Sequence, residues 1–380
     1  MTGWFIDKLT VHQDYPEGGL PLVGKHGILR HDIATGERLS DTVNSRQHEG
    51  SYSSSVQIRC TGSSIEVSGN PSRFNRSENL WGFTTIEQCV QVYNQILVEY
   101  GLPPFSRCTG VWHGQSPDGK RSRLIADGAI IRHIDWTRNH VVGQGRELAF
   151  LRGASTLTIG RGLQPHLYPN GYTVDWGTHR LRVRGEGSSY RYDKLYIKAQ
   201  DLLTHRKKRL KNASKEETAY YDRLIEYCND CGIVREEQSK KAPHLKKHGT
   251  LAFYGLASEQ DFIPHLTDIE TALKRLEVNH MTYETIAEQL IVKGICNSAQ
   301  SANATESYAL KWLHGTPLDR SKSQYRVHRA RLLQLGLEIA MPYDISRLAP
   351  QLRSSEVIDL QPAVMPSWYR MPRVCELKAA

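Results

Sequence analysis

"SSVQIRCTGSSIEVSG", residues 54–69, decides how the first half of the chain is read. Val56, Ile58 and Cys60 alternate with polar residues, and so do Ile65 and Val67 after the "TGSS" turn, so each run has one apolar and one wet face. The spacing predicts a β-hairpin, with Glu66 opposite Ile65 and Val67. Further strands are expected in "GAIIRHIDWT" from Gly128, in "GYTVDW" and in "RLRVRG"; "HGQSPDGKRSR" from His113 reads as a polar loop. Between them, apolar residues at Ile86, Val90, Tyr93 and Ile96 predict a helix. From about residue 200 the pattern turns helical, apart from one more strand at "GIVREEQS", Gly232 to Ser239. The expected fold is therefore α+β, with a mixed domain over residues 1–250 and a mainly helical one over 251–380.

With 380 residues and 39% hydrophobic content the chain can bury a substantial core. Its 49 Lys and Arg against 40 Asp and Glu leave a net charge of +9, which favours a polyanionic partner without naming one. The start, "MTGWFIDKLTV", carries an acid and alternates, unlike a secretory leader, and no stretch approaches the roughly 20 apolar residues of a membrane span. Seven scattered cysteines suit reduced thiols, so an intracellular protein without a membrane partner is expected.

One motif invites over-reading. Cys228-x2-Cys231-x12-His244-x3-His248 has the spacing of a C2H2 zinc finger. The places where a finger needs an aromatic and a leucine hold Arg235 and Lys241, and Pro243 stands where its helix should be running. The expectation is a helix end followed by an ordinary strand.

The chemistry-bearing positions are strand residues. His133 and Asp135 share one face of "RHIDW", and Arg235 and Glu237 share one face of "IVREEQ". Singly, each reads equally as a solvated polar position. Together with Glu66 they would form a site for Mg²⁺ or Mn²⁺, which take hard oxygen ligands. "SSYRYDKLYIKAQDLLTH", residues 188–205, adds Tyr190, Tyr192 and Tyr196; helical or extended, at least Tyr192 and Tyr196 share a face, and packing competes with catalysis for each. A tyrosine attacking a phosphodiester needs a metal on the phosphoryl oxygens, and a nearby cation such as Lys198 could favour the phenolate or neutralise the phosphate. A basic run follows, including Arg206, Lys207, Lys208 and Arg209, and three short amphipathic segments near the C-terminus end with Arg326, Arg329 and Arg331. These are candidate DNA contacts, with a solvated helix face or plain scaffold as the alternative.

These residues resemble the II/X family of phage and plasmid replication proteins, the gene II initiators of filamentous bacteriophages. "IEVSGNPSRFNRSENLWGF" is similar to a family segment running from acid to proline, asparagine and aromatic-glycine, here Glu66, Pro71, Asn79, Trp81 and Gly82. "RHIDWT", "TVDW", "YIKAQDL", "GIVREEQSKKAPHLKKHG" and "PSWY" (Pro366 to Tyr369) resemble further motifs in the same order. The resemblance implies an HUH-like antiparallel-sheet endonuclease followed by a helical domain. It implies a rolling-circle initiator that uses Mg²⁺ or Mn²⁺, nicks one strand through a 5′-phosphotyrosine and rejoins the displaced strand. Its nucleophile falls on Tyr196 with Lys198 beside it, and its metal ligands on Asp135, Glu66, Glu237 and His133. Its partners would be double-stranded replicative-form DNA at an origin, single-stranded DNA and a host helicase, in the host bacterial cytoplasm. Two departures stand out: Asp201 replaces a glutamate, and His133 stands where the family has arginine, as either a histidine-hydrophobic-acid variant of the metal strand or a shifted register. Runner-up readings are a DNA-binding regulator without nuclease activity and a zinc-finger adaptor.

Overall fold

The computed structural model describes residues 3–24, 26–115, 122–159, 163–177, 189–266, 269–273, 286–313, 315–341 and 360–374. Its strands, in chain order, are β1 (Phe5–Asp14), β2 (Gly27–His31), β3 (Arg38–Val43), β4 (Arg46–Glu49), β5 (Ser55–Cys60), β6 (Ser64–Gly69), β7 (Val111–Gln115), β8 (Ser122–Ala126), β9 (Ile130–Val141), β10 (Gln164–Leu167), β11 (Thr173–Gly177), β12 (Arg191–Ile197), β13 (Ile233–Lys241) and β14 (Gln361–Pro362). Ten of them form one antiparallel sheet, ordered β10-β11-β12-β13-β9-β1-β6-β5-β4, with β14 on the end of β9. The pairs β2–β3 and β7–β8 are separate hairpins. The second contains the start of the segment expected to be a polar loop, whose residues 116–121 lie outside the described residues, as does "RLRVRG".

The predicted hairpin is β5–β6, and Val56, Ile58, Cys60, Ile65 and Val67 are all fully buried on its inner face. They pack against α1 (Ile86–Glu99), whose Val90, Tyr93, Ile96 and Leu97 form the matching stripe. The helix starts at a capping box in which Thr85 and Gln88 satisfy each other's backbone. A second apolar cluster gathers Val174, Trp176, Leu195 and Val234 of the sheet with α2 (Glu147–Ala154), α3 (Lys198–Arg209) and α4 (Lys215–Cys231). Gly232 ends α4 with φ +61°, and a Cβ there would meet the Gly143 carbonyl oxygen at 2.1 Å, so this position requires glycine twice over.

The tyrosine-rich stretch is neither helical throughout nor extended throughout. It is β12 up to Ile197 and α3 from Lys198, so the boundary falls between Tyr196 and Lys198. Beyond β13 come the short helix α5 (Ala242–Lys247) and two 3₁₀ turns, Gly249–Ala252 and Glu259–His265. Leu251, Phe253, Tyr254, Phe262 and Leu266 from this region join the core of the sheet. Three helices follow, Ile286–Val292, Ala299–Leu313 and Ser323–Gln334, which pack on one another around Leu290, Trp312, Tyr325 and Leu332.

The last described segment returns to the sheet. Tyr369 is buried, its hydroxyl accepting from the Trp81 backbone N–H at 2.8 Å and donating to the Trp81 carbonyl at 2.8 Å. Arg370 reaches Glu216 and Glu217 on α4, each at 2.9 Å. Residues 360–374 thus pack on the strand domain, across the division expected near residue 250.

Candidate active site

Alternation gives the central strands one face that is polar across several neighbours. Register places Tyr196 opposite Arg235, Lys194 opposite Glu237 and Tyr192 opposite Ser239. It continues from Arg235 to Asn139, Glu237 to Thr137 and Ser239 to Asp135 on β9, then from His133 to Thr10 on β1. Tyr196, Glu237, His133 and Asp135 are therefore brought to one face of three adjacent strands.

The Tyr196 hydroxyl donates to Glu237 Oε1, and Lys194 Nζ lies 2.6 Å from Glu237 Oε2 and 5.0 Å from the Tyr196 ring centroid. Burial, then Glu237, push the phenol well above its ordinary pKa, so it rests protonated. Burial opposes the charge on Lys194, but Glu237, and behind it Asp135, hold its ammonium above the ordinary value. Tyr192 shares this face but is turned toward β11, donating to Asp175 Oδ2 at 2.6 Å, and Tyr190 bonds to His248 at 3.2 Å.

Lys198 Nζ is fully buried, donating to Asp201 Oδ2 at 2.8 Å and Asn79 Oδ1 at 3.1 Å, 5.8 Å from the Tyr196 ring centroid. Burial and the neighbouring Arg235 lower its pKa, while Lys198 and Arg209 hold Asp201 well below the carboxylate range against its own burial. The shortened acid at position 201 thus serves the lysine as a counter-charge. Asn79 also donates to Asp7 Oδ1 at 2.6 Å, and Arg235 donates to the Asn79 and Leu80 carbonyls, both at 2.7 Å. The segment bearing Asn79 can lie this close because of Gly82, where a Cβ would meet Ser72 Oγ at 2.6 Å and Phe5 Cδ2 at 2.8 Å.

His133 Nε2 and Asp135 Oδ1, both buried, stand 2.8 Å apart as an ion pair, and neither atom has another hydrogen-bond partner. A buried histidine and carboxylate side by side on one sheet face offer a cation one nitrogen and one oxygen donor. Burial would raise the Asp135 carboxyl, but His133, Ser239 and Lys194 overcome it and bring it down to about 2. His12 on the neighbouring strand β1 has a buried nitrogen without a hydrogen bond, Nδ1, 3.9 Å from Glu66 Oε2. The two glutamates expected to complete the site are engaged elsewhere: Glu66 pairs with Arg132 at 2.5 Å and Glu237 holds Tyr196 and Lys194. Among the described residues, these carboxylates do not close with His133 and Asp135 into a three-ligand group.

The basic candidates divide in the same way. Lys207, Lys208 and Arg326 are exposed. Arg206 makes a two-pronged pair with Asp222 at 2.7 Å on each side, and Arg329 makes one with the buried Glu338. Arg209 donates to Tyr221 Oη at 3.3 Å and Arg331 to Thr305 Oγ1 at 3.3 Å. The finger-like spacing does not gather: Cys228, on α4, lies in the core, while His244 on α5 stacks with His248 just after that helix.

Sequence reasoning passed over Asp7, Lys194 and His12. Asp7 sits in a β-bulge between Ile6 and Lys8, which shifts β1's alternation so that Asp7 leaves the apolar face shared by Leu9 and Val11. Lys194 was visible as a same-face neighbour of Tyr196 by parity alone.

This chain is 36% identical over 321 residues to the replication-associated protein of Escherichia phage If1, the gene II product, covering 83% of this chain and 98% of that one. The chain belongs to the gene II replication-protein family of filamentous phages. The family model for the C-terminal part of this replication-associated protein matches residues 290–375. That match begins within the helix Ile286–Val292 and runs through the following helices to the returning segment. No solved structure matches the chain. The mixed α+β sheet architecture is the one expected, and none of the described helices is long and apolar enough to cross a membrane.

Proposed function

We propose that this phage replication protein initiates rolling-circle replication as an HUH-like nicking and closing enzyme, with Tyr196 as nucleophile. The observation that carries this reading is the Tyr196 hydroxyl bonded to the Glu237 carboxylate, on the sheet face that also holds the His133 and Asp135 pair. In the step proposed, the phenol oxygen forms a bond to the scissile phosphorus and the bond to the 3′ oxygen breaks. Glu237 takes the phenol proton, and the 3′ oxygen takes one from water. The product phosphotyrosine keeps the phosphodiester energy, so rejoining needs no nucleotide cofactor.

Lys194 sets the orientation of Glu237 and offers the attacked phosphate a positive neighbour. Lys198 acts as a positioning residue: its buried ion pair with Asp201 pins the first turn of α3 directly after the nucleophile. His133 and Asp135 would hold Mg²⁺ or Mn²⁺, which supplies charge stabilisation at the phosphoryl oxygens when bound. The substrate would be origin-containing duplex and its displaced strand in the host bacterial cytoplasm, with a host helicase as the partner that unwinds it.

The test is Tyr196→Phe on supercoiled replicative DNA with Mg²⁺. Covalent adduct and relaxation should both vanish while DNA affinity changes little, and Tyr192→Phe and Tyr190→Phe should keep most activity. An adduct that survives Tyr196→Phe would refute this nucleophile. A wild-type protein that shifts the DNA without ever relaxing it would establish the regulator reading instead.

A further inference from the structure

His244, His248 and His265 place one ring nitrogen each within 4.8 Å of one another. Their ring centroids are 4.5 Å (His244 to His248), 5.3 Å (His244 to His265) and 4.4 Å (His248 to His265) apart. His244 is only 4% exposed, and neither of its nitrogens has a hydrogen-bond partner. A buried imidazole with both nitrogens unsatisfied loses its solvation without compensation, which is costly unless something else binds it. His244 lies on α5, His248 directly after it and His265 at the end of the 3₁₀ turn Glu259–His265, and Leu245 and Phe262 from the same two regions are buried in the core of the sheet.

We infer that these three histidines form a site for a borderline transition-metal ion, Zn²⁺ being the fitting one, separate from the sheet site. Three imidazoles without a carboxylate suit Zn²⁺ and are a poor set for Mg²⁺, which requires oxygen. A tetrahedral ion with Zn–N bonds of about 2.0–2.1 Å needs ligand nitrogens roughly 3.3 Å apart, within reach of modest ring rotation from the present spacing. Ligation also requires the rings to be neutral. Lys240, Lys247 and Arg191 are the cations around the cluster. Lys240 and Arg191 are in turn held by the buried Asp193 at 3.5 and 2.6 Å, which limits their repulsion of a metal. The site uses the two histidines of the finger-like spacing and replaces its cysteines with His265.

The experiment is a Co²⁺ titration of the full-length, chelator-treated protein, followed by visible absorption and then by Zn²⁺ competition. The expected result is one Co²⁺ per chain with the intense bands of tetrahedral nitrogen ligation, displaced by Zn²⁺. His248→Ala and His265→Ala, both at half-buried positions, should each weaken binding by more than about tenfold, since losing even a residue that only supports a ligand costs that much. Cys228→Ala with Cys231→Ala should bind Co²⁺ as the wild type does. Metal-free thermal melting of each variant shows whether it is folded, and should the paired His248→Ala and His265→Ala variant be unfolded, the single variants decide. Absence of tetrahedral bands in the wild type, bands that persist in folded histidine variants, or bands lost only with the cysteines would each overturn the inference.

Discussion

The β12–β13 ladder and the three helices between Ile286 and Gln334 are both rich in charge, and they use it in different ways. Along β13, Arg235 to Lys240 are six consecutive polar or charged residues, all buried, and their partners come from distant segments: Asn79 and Asn139 for Arg235, Arg138 and His140 for Glu236, Tyr196 for Glu237. In the helices, Arg329 pairs with Glu338 nine residues away, Arg331 reaches a hydroxyl on the neighbouring helix, and Arg326 points to solvent. Buried charge linked across the chain fixes one geometry, because removing a member strands its partners in low dielectric. Exposed charge fixes little and remains free to meet another polyanion. In the proposed function, catalytic precision would belong to the first region, and electrostatic adhesion to the second and to the exposed end of α3.

That contrast can be tested in descending order of effect. Asp135→Ala should abolish nicking while origin binding, measured by gel shift, stays near wild type; Glu66→Ala should do much less, since its carboxylate already serves Arg132. Normal nicking by Asp135→Ala at limiting Mg²⁺ would remove β9 from the site. Glu237→Gln keeps the shape and removes the base, so single-turnover cleavage should slow by about 10²–10⁴-fold, the range for general-base loss. An unchanged rate would assign the proton to another acceptor.

Arg235→Met should lower unfolding free energy by about 3–5 kcal/mol in denaturant titration, as breaking a buried charged network does. A loss under about 1 kcal/mol would mean that the ladder is held by backbone pairing alone. The smallest effect is the one that probes adhesion. Replacing Lys207, Lys208 and Arg209 with alanine should reduce the slope of log K against log salt by up to ~2.7 on duplex DNA, about 0.9 per phosphate contact. Arg206→Ala and Arg329→Ala should leave that slope unchanged, because each guanidinium is already bound to a carboxylate.

The same contrast explains what could be read from the sequence. The β5–β6 hairpin, α1, β9 and β11 declared themselves through alternation or helical spacing, because each has one apolar face against the core. Motif order was what put Tyr196 and Asp135 forward as candidates, and the structure brings them to one sheet face. What stayed hidden was set by pairing between distant segments. "REEQSK" has the composition of a solvated strand, and only strand order shows it lying between β12 and β9. Asp7 was hidden by a bulge, since period-two reading keeps it with Leu9 and Val11. The histidine trio was half visible, because His265 has no fixed spacing from His244 and His248 that a motif could encode.

The returning C-terminal segment ties folding to the order of synthesis. The Tyr369 hydroxyl fastens the backbone of Trp81, two residues after the Asn79 that carries both Asp7 and Lys198. On the ribosome, every strand of the site emerges well before that tyrosine does, so a nascent chain passes most of its synthesis with the Asn79 loop unclamped. A product stopped after β13 but short of residue 369 carries all of the proposed catalytic side chains and lacks the latch that holds their scaffold shut.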